Sequence, residues 1–195
     1  MKRFFFVLLA LLPAVSALAG REVYDIGRGW KFYTVDRRDS VGVTLPHTWN
    51  DTDAAVGRLD YYRGIGNYFR YLKARPEWRG KRVFVRFYGA GTVADLMVNG
   101  RHAGEHRGGN NAFEFEITDL LDYGGKNLLW VIVNNGARLD VLPTAGEENV
   151  YGGLFRQAEI IVTEPAAIGF DGYGGCGGLQ FAHLISSSFR FVPFS

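Results

Sequence analysis

The sequence predicts an all-β protein, an antiparallel β-sandwich for which a jelly roll is the commonest arrangement, and three observations lead there. Apolar residues recur with period two through most of the chain from residue 21 onward. The 26 glycines in 195 residues suit many tight turns, and 10 Tyr with 15 Phe suit pleated, half-buried faces. No segment carries the longer period of a convincing helix, so about eight short strands are expected.

The first element stands apart from the fold. Met1 to Gly20 has Lys2 and Arg3, an apolar run from Phe4 to Leu12, and Ala17 and Ala19 in an A-x-A arrangement. That is the pattern of a secretory signal cut after Ala19, which predicts residues 1–19 as signal peptide and a periplasmic or extracellular location. The run is short of the ~18 residues a membrane span needs, and Pro13 interrupts it. No membrane association is expected after cleavage. Cys176 is the single cysteine, so no internal disulfide supports the fold.

The folded region is expected over residues 20–165. Arg70 to Lys73 reads as an early strand. Lys81 to Tyr88 places Val83, Val85 and Phe87 on one face and Arg82, Phe84, Arg86 and Tyr88 on the other. Ala94 to Val98 runs into Asn99-Gly100, the dipeptide that best fits a type I′ hairpin turn, and a returning strand starts near His102. Phe113, Phe115 and Ile117 alternate with Glu114 and Glu116. Thr118 to Leu121 allows one helical turn, closed at Gly124-Gly125. Leu128 to Val133 is nearly continuous and apolar, as a central strand would be. Glu159 to Thr163 is the last strand, and residues 166–195 form a Gly-rich linker and a divergent tail.

Composition excludes some partners. With 47% apolar and 22% charged residues the chain can form a real core, and a net charge of +2 spread along the sequence argues for neither nucleic acid nor an anionic membrane. His102, Glu105 and His106 spell H-x-x-E-H, but the segment follows a hairpin turn and contains Gly104. On a strand the two Cα atoms would stand ~13 Å apart, too far to share a metal. Gly172, Gly174, Gly175, Gly177 and Gly178 lack the strand, helix and Lys-Ser/Thr pair of a phosphate loop. No metal or cofactor is expected. Asn50-Asp51-Thr52 fits an N-glycosylation pattern. Glu114 and Glu116 alternate with apolar residues as a solvated face does, whereas Glu147-Glu148 lies in a loop before Tyr151-Gly152-Gly153. A carboxylate beside an aromatic on a loop suits sugar, whose rings stack while its hydroxyls donate hydrogen bonds.

Leu45-Pro46-His47-Thr48-Trp49-Asn50, Asp60-Tyr61-Tyr62-Arg63-Gly64, Val98-Asn99-Gly100, Gly104 to Gly109, Phe113, Ile117-Thr118-Asp119 and Gly152-Gly153-Leu154-Phe155-Arg156 form an ordered set. It resembles the amino-terminal sugar-binding domain of family 2 glycoside hydrolases, the β-galactosidase and β-glucuronidase group, over most of residues 24 to 178. The resemblance implies a galactose-binding-like jelly roll, normally followed by an immunoglobulin-like domain and a (β/α)₈ barrel carrying two catalytic glutamates. A barrel needs ~250 residues, and the chain has no Asn-Glu dipeptide of the kind that carries the family's acid/base. A domain present as a fragment without its catalytic barrel and without catalytic residues of its own is therefore expected, with a β-galactoside or related carbohydrate and a missing or separately encoded catalytic domain as partners; the alternatives are a stand-alone secreted sugar-binding module or a complementing subunit of a separately encoded catalytic chain. The resemblance also implies accessory sugar contacts at Glu147, where the family has Asp, at Asp60 and beside Tyr151. Asn110 stands where the family often has an aromatic residue.

Overall fold

The computed structural model describes residues 20–165 except 36, 52–61, 110 and 142–149. The segment expected to be a signal peptide, the expected tail, Cys176, Asp60, Asn110 and Glu147 lie outside the described residues. Among those described, the strands are β1 (Glu22–Asp25), β2 (Trp30–Thr34), β3 (Arg37–Val43), β4 (Ile65–Lys73), β5 (Arg82–Phe87), β6 (Val93–Val98), β7 (Arg101–Arg107), β8 (Phe113–Glu116), β9 (Lys126–Asn134) and β10 (Ala158–Thr163). One-turn 3₁₀ helices occur at Pro76–Trp78 and Thr118–Leu120. The strands form a four-stranded sheet in the order β1-β10-β5-β8 and a six-stranded sheet in the order β3-β2-β4-β9-β6-β7. All named pairings are antiparallel, giving the expected β-sandwich jelly roll.

The core forms where the two inner faces meet. Val83, Val85, Phe87, Phe113, Ile160 and Val162 from the smaller sheet oppose Trp30, Phe32, Tyr68, Leu96, Leu129, Val131 and Val133 from the larger, all buried. Each such apolar side chain contributes roughly 1.5–3 kcal/mol by leaving water. Arg70 also points inward, beside Trp30, and donates from its guanidinium to the Ile26 carbonyl at 2.6 Å. The Trp30 indole donates to that same oxygen, so one backbone group satisfies two buried donors.

Several elements differ from the sequence expectation. β4 begins at Ile65, not Arg70, because Gly66 and Asn67, poor strand formers, are needed where they stand. A Cβ on Gly66 would overlap the Trp49 ring and crowd Phe32. Asn67 accepts a hydrogen bond from the Trp130 indole at 3.0 Å. β1, β2 and β3 carry no clear alternation, and β1 and β3 are edges with one neighbour each. β9 is central as expected, yet only Leu129, Val131 and Val133 face the core. Leu128, Trp130 and Ile132 make the opposite face of the larger sheet apolar as well. The Asn99-Gly100 turn forms with φ values of 52° and 78°.

Candidate functional site

Segments far apart in sequence meet at one end of the sandwich: residues 45–50 after β3, 62–64 before β4, 89–92 between β5 and β6, and 150–156 before β10. Buried asparagines hold them. Asn50, 2% exposed, accepts from the Gly152 amide at 2.7 Å and donates to the Tyr62 carbonyl at 3.1 Å. Asn135, 1% exposed, donates to the carbonyls of Val150 at 2.9 Å and Tyr62 at 3.2 Å and accepts from the Gly64 amide at 2.8 Å. Loop backbone that would otherwise need water is thus satisfied inside the protein.

Aromatic rings and glycines close the remaining space. Trp49 stacks on Phe32 at 5.7 Å and meets Tyr62 edge-on at 6.2 Å. A Cβ on Gly152 would overlap the indole, so only glycine lets the backbone lie against it. Gly153 adopts φ 121° and packs on His47 and Tyr68. Thr48 donates its hydroxyl to the Gly152 carbonyl at 2.7 Å. The result is a rigid floor carrying Tyr151, which is 51% exposed.

His47 and Tyr68 lie beneath, sharing a hydrogen bond at 2.7 Å. Burial pushes the His47 pKa down, with Asp51 opposing, and pushes the Tyr68 hydroxyl up. Both are neutral at physiological pH, so the pair acts as a neutral brace. The site's charge is at its margin, where Arg107 reaches Glu105 and Asp140, and Arg138 holds Asp140 at 2.9 Å. Val35, Ile65 and Leu139 are exposed at this same end.

Of the residues singled out in the sequence, Tyr151 sits on this surface, while Glu147 and Asp60 lie outside the described residues. The Asn50 glycosylation pattern falls on a side chain buried and bonded at both its oxygen and its nitrogen, so the folded chain presents no acceptor there. The H-x-x-E-H segment lies on β7, where a bulge near Ala103 places the two rings on opposite faces of the sheet. His102 turns outward to Asp95 at 3.3 Å, and His106 stacks inward on Phe113 at 4.0 Å. Glu116 pairs with Arg82 at 2.7 Å, and burial raises the pKa of Glu114. Sequence reasoning missed Asn135 and the second use of Asn50. The Asn134-Asn135-Gly136 run after a strong strand was the available signal.

Fold and loop cluster together define a galactose-binding-like β-sandwich domain with one end built from clamped loops. The chain belongs to the sugar-binding domain family of glycosyl hydrolases family 2, whose model matches residues 20–164. It is 47% identical over 163 residues to a β-glucuronidase of Bacteroides fragilis, covering 83% of this chain and 24% of that protein. To a β-galactosidase of Thermoanaerobacter pseudethanolicus it is 31% identical over 150 residues, 70% of this chain and 20% of that one. The crystal structure of a Bacteroides uniformis β-glucuronidase superposes with a TM-score of 0.67 at 34% identity, covering 75% of this chain and 18% of that chain. The chain therefore spans about a quarter or less of the length of these relatives.

Proposed function

We propose that this chain is the amino-terminal carbohydrate-binding domain of a secreted family 2 glycoside hydrolase acting on β-galactosides or β-glucuronides, and that it holds sugar without hydrolysing it. The observation that carries this reading is the convergence of three loops on Asn50, which presents Tyr151 from a rigid base. An exposed aromatic on a fixed backbone gives a sugar ring a face to stack on at little entropic cost. Glu147, shortly before Tyr151 in the sequence, is proposed to supply a hydroxyl acceptor, and Asp60 a second.

Calorimetric titration with galactose, lactose and glucuronic acid tests the binding. Millimolar affinity lost in Glu147→Ala supports it; heats indistinguishable from dilution for all three sugars reject it. The purified chain is expected not to hydrolyse nitrophenyl β-galactoside or β-glucuronide, and turnover retained after repurification would contradict the non-catalytic reading.

A second reading rests on Val35, Ile65 and Leu139, exposed at the same end of the sandwich as Tyr151. These suit contact with a catalytic barrel, carried in the same polypeptide or encoded separately. Activity appearing when the chain is mixed with a separately produced barrel would favour this docking role.

A further inference from the structure

The outer face of the six-stranded sheet carries a second pattern, away from the loop end. Register places Lys31, Phe69, Trp130, Met97 and His102 in one row across five neighbouring strands. Tyr33, Asn67, Ile132, Asp95 and Glu105 form the adjacent row. Beyond the first row, Tyr71 lies opposite Leu128, and Lys73 opposite Lys126. Tyr71 is 60% exposed, and the Lys126 ammonium lies over its ring at 5.5 Å. The bond from the Trp130 indole to Asn67 fixes that ring within the face.

Charge on this face is segregated. Lys31, Lys73 and Lys126 border the aromatic half, on β2, β4 and β9, and none of them has a salt bridge among the described residues. Two lysines directly opposite one another in a ladder are destabilising unless an anion lies between them. The acids of the face, Asp95 and Glu105, are on β6 and β7 and face His102 and Arg107. On the smaller sheet the arrangement is different, for Lys81 is held by Glu22 and Glu164, and Arg82 by Glu116.

The geometry points to a binding face for an acidic polysaccharide, a uronate-bearing chain lying over the β2, β4 and β9 half of this sheet. Sugar rings offer C–H faces to Tyr71, Phe69, Trp130 and Tyr33, and carboxylates along the chain meet the three lysines at the border. This site is separate from the loop end and does not depend on it. It would hold an enzyme's polymeric substrate, while the loops concern the sugar being processed.

The test is electrophoresis of the whole chain in gels containing polygalacturonate or neutral hydroxyethyl cellulose, with titration of an oligogalacturonate. Polygalacturonate should retard the chain and the neutral polymer should not. The pair Lys73→Glu and Lys126→Glu should weaken oligogalacturonate binding by about tenfold or more. Tyr71→Ala, at an exposed position that leaves the core intact, should weaken it about fivefold. Raising ionic strength from about 0.05 to about 0.2 M should also weaken it. Absence of retardation, equal binding of poly-glutamate or a single-stranded oligonucleotide, or indifference to Tyr71→Ala would each overturn the proposal. Titration of the same variants with galactose reports the loop end independently, so failure at one site is distinguishable from failure at the other.

Discussion

Both ends of the sandwich are pinned by a pair of asparagines, yet the two pairs connect very different things. At the hairpin end, Asn99 donates to Asn127 at 2.7 Å, and Asn127, fully buried, donates to Asp122 and accepts from its amide, five positions away. At the loop end, Asn50 binds Gly152 across 102 positions and Asn135 binds Gly64 across 71. One pair closes the turn at Asp122 and joins it to the Asn99 hairpin across 28 positions. The other ties together distant segments, and its end is the one left with exposed Tyr151, Leu139 and Ile65. The same chemical device therefore closes a turn at one end and fixes the loops of the proposed sugar-binding surface at the other.

The largest effect should come from Asn135→Ala. It strands the Gly64 amide and the Val150 carbonyl within the loop cluster, at about 3 kcal/mol in all. Chemical denaturation measures the loss, and galactose binding should disappear with it because the floor under Tyr151 loosens. A variant of near-normal stability would show that water replaces the side chain and that the clamp is not structural.

Asn127→Ala should cost less, about 2 kcal/mol, because the turn at the exposed Asp122 can be hydrated once the side chain is gone. Sugar binding should be unchanged. Equal damage to binding by both variants would erase the distinction between the two ends.

That distinction also explains what the sequence revealed. Asn99-Gly100 announces its turn because the requirement for positive φ is local, and Val83, Val85 and Phe87 announce their face because alternation is local too. The partners of Asn50 lie outside any such window, and the sequon drew attention to a side chain that the fold buries. Ile65 to Asn67 looked unlike a strand because Gly66 answers to Trp49, a residue from another loop. Lys31, Lys73 and Lys126 are far apart along the chain, so a net charge of +2 concealed their placement on one face of the larger sheet. Recognition of the loop end came from resemblance, while its clamps required the fold.

Acid should act on the loop end in particular. Burial holds His47 and His106 below the ordinary histidine value of 6.5, and both lie near these loops. Once unfolded, each takes up its proton near that value, while the folded chain resists until lower pH. In that window the unfolded state binds more protons, so stability falls as pH drops below 6.5 and is fully regained above it. Denaturation midpoints taken from about pH 7.5 to about 5.5 should decline, and the decline should be shallower in His47→Gln. An unchanged slope in that variant would assign the acid sensitivity elsewhere, with His106 the next group to replace.

The smallest stability change, within about 0.5 kcal/mol, is expected from Tyr151→Ala, because the exposed ring lies above the floor and the bonds below it are made by backbone and asparagine. Its effect on binding should be out of proportion to that. A sugar ring that stacks on Tyr151 loses that apolar contact, so affinity for galactose should drop severalfold while the denaturation midpoint hardly moves. Asn135→Ala cannot make this separation, since it disturbs floor and surface together. If Tyr151→Ala instead left affinity intact, the exposed ring would belong with Val35, Ile65 and Leu139 as part of a protein-docking surface, and the sugar contacts would have to come from the loops that carry Asp60 and Glu147.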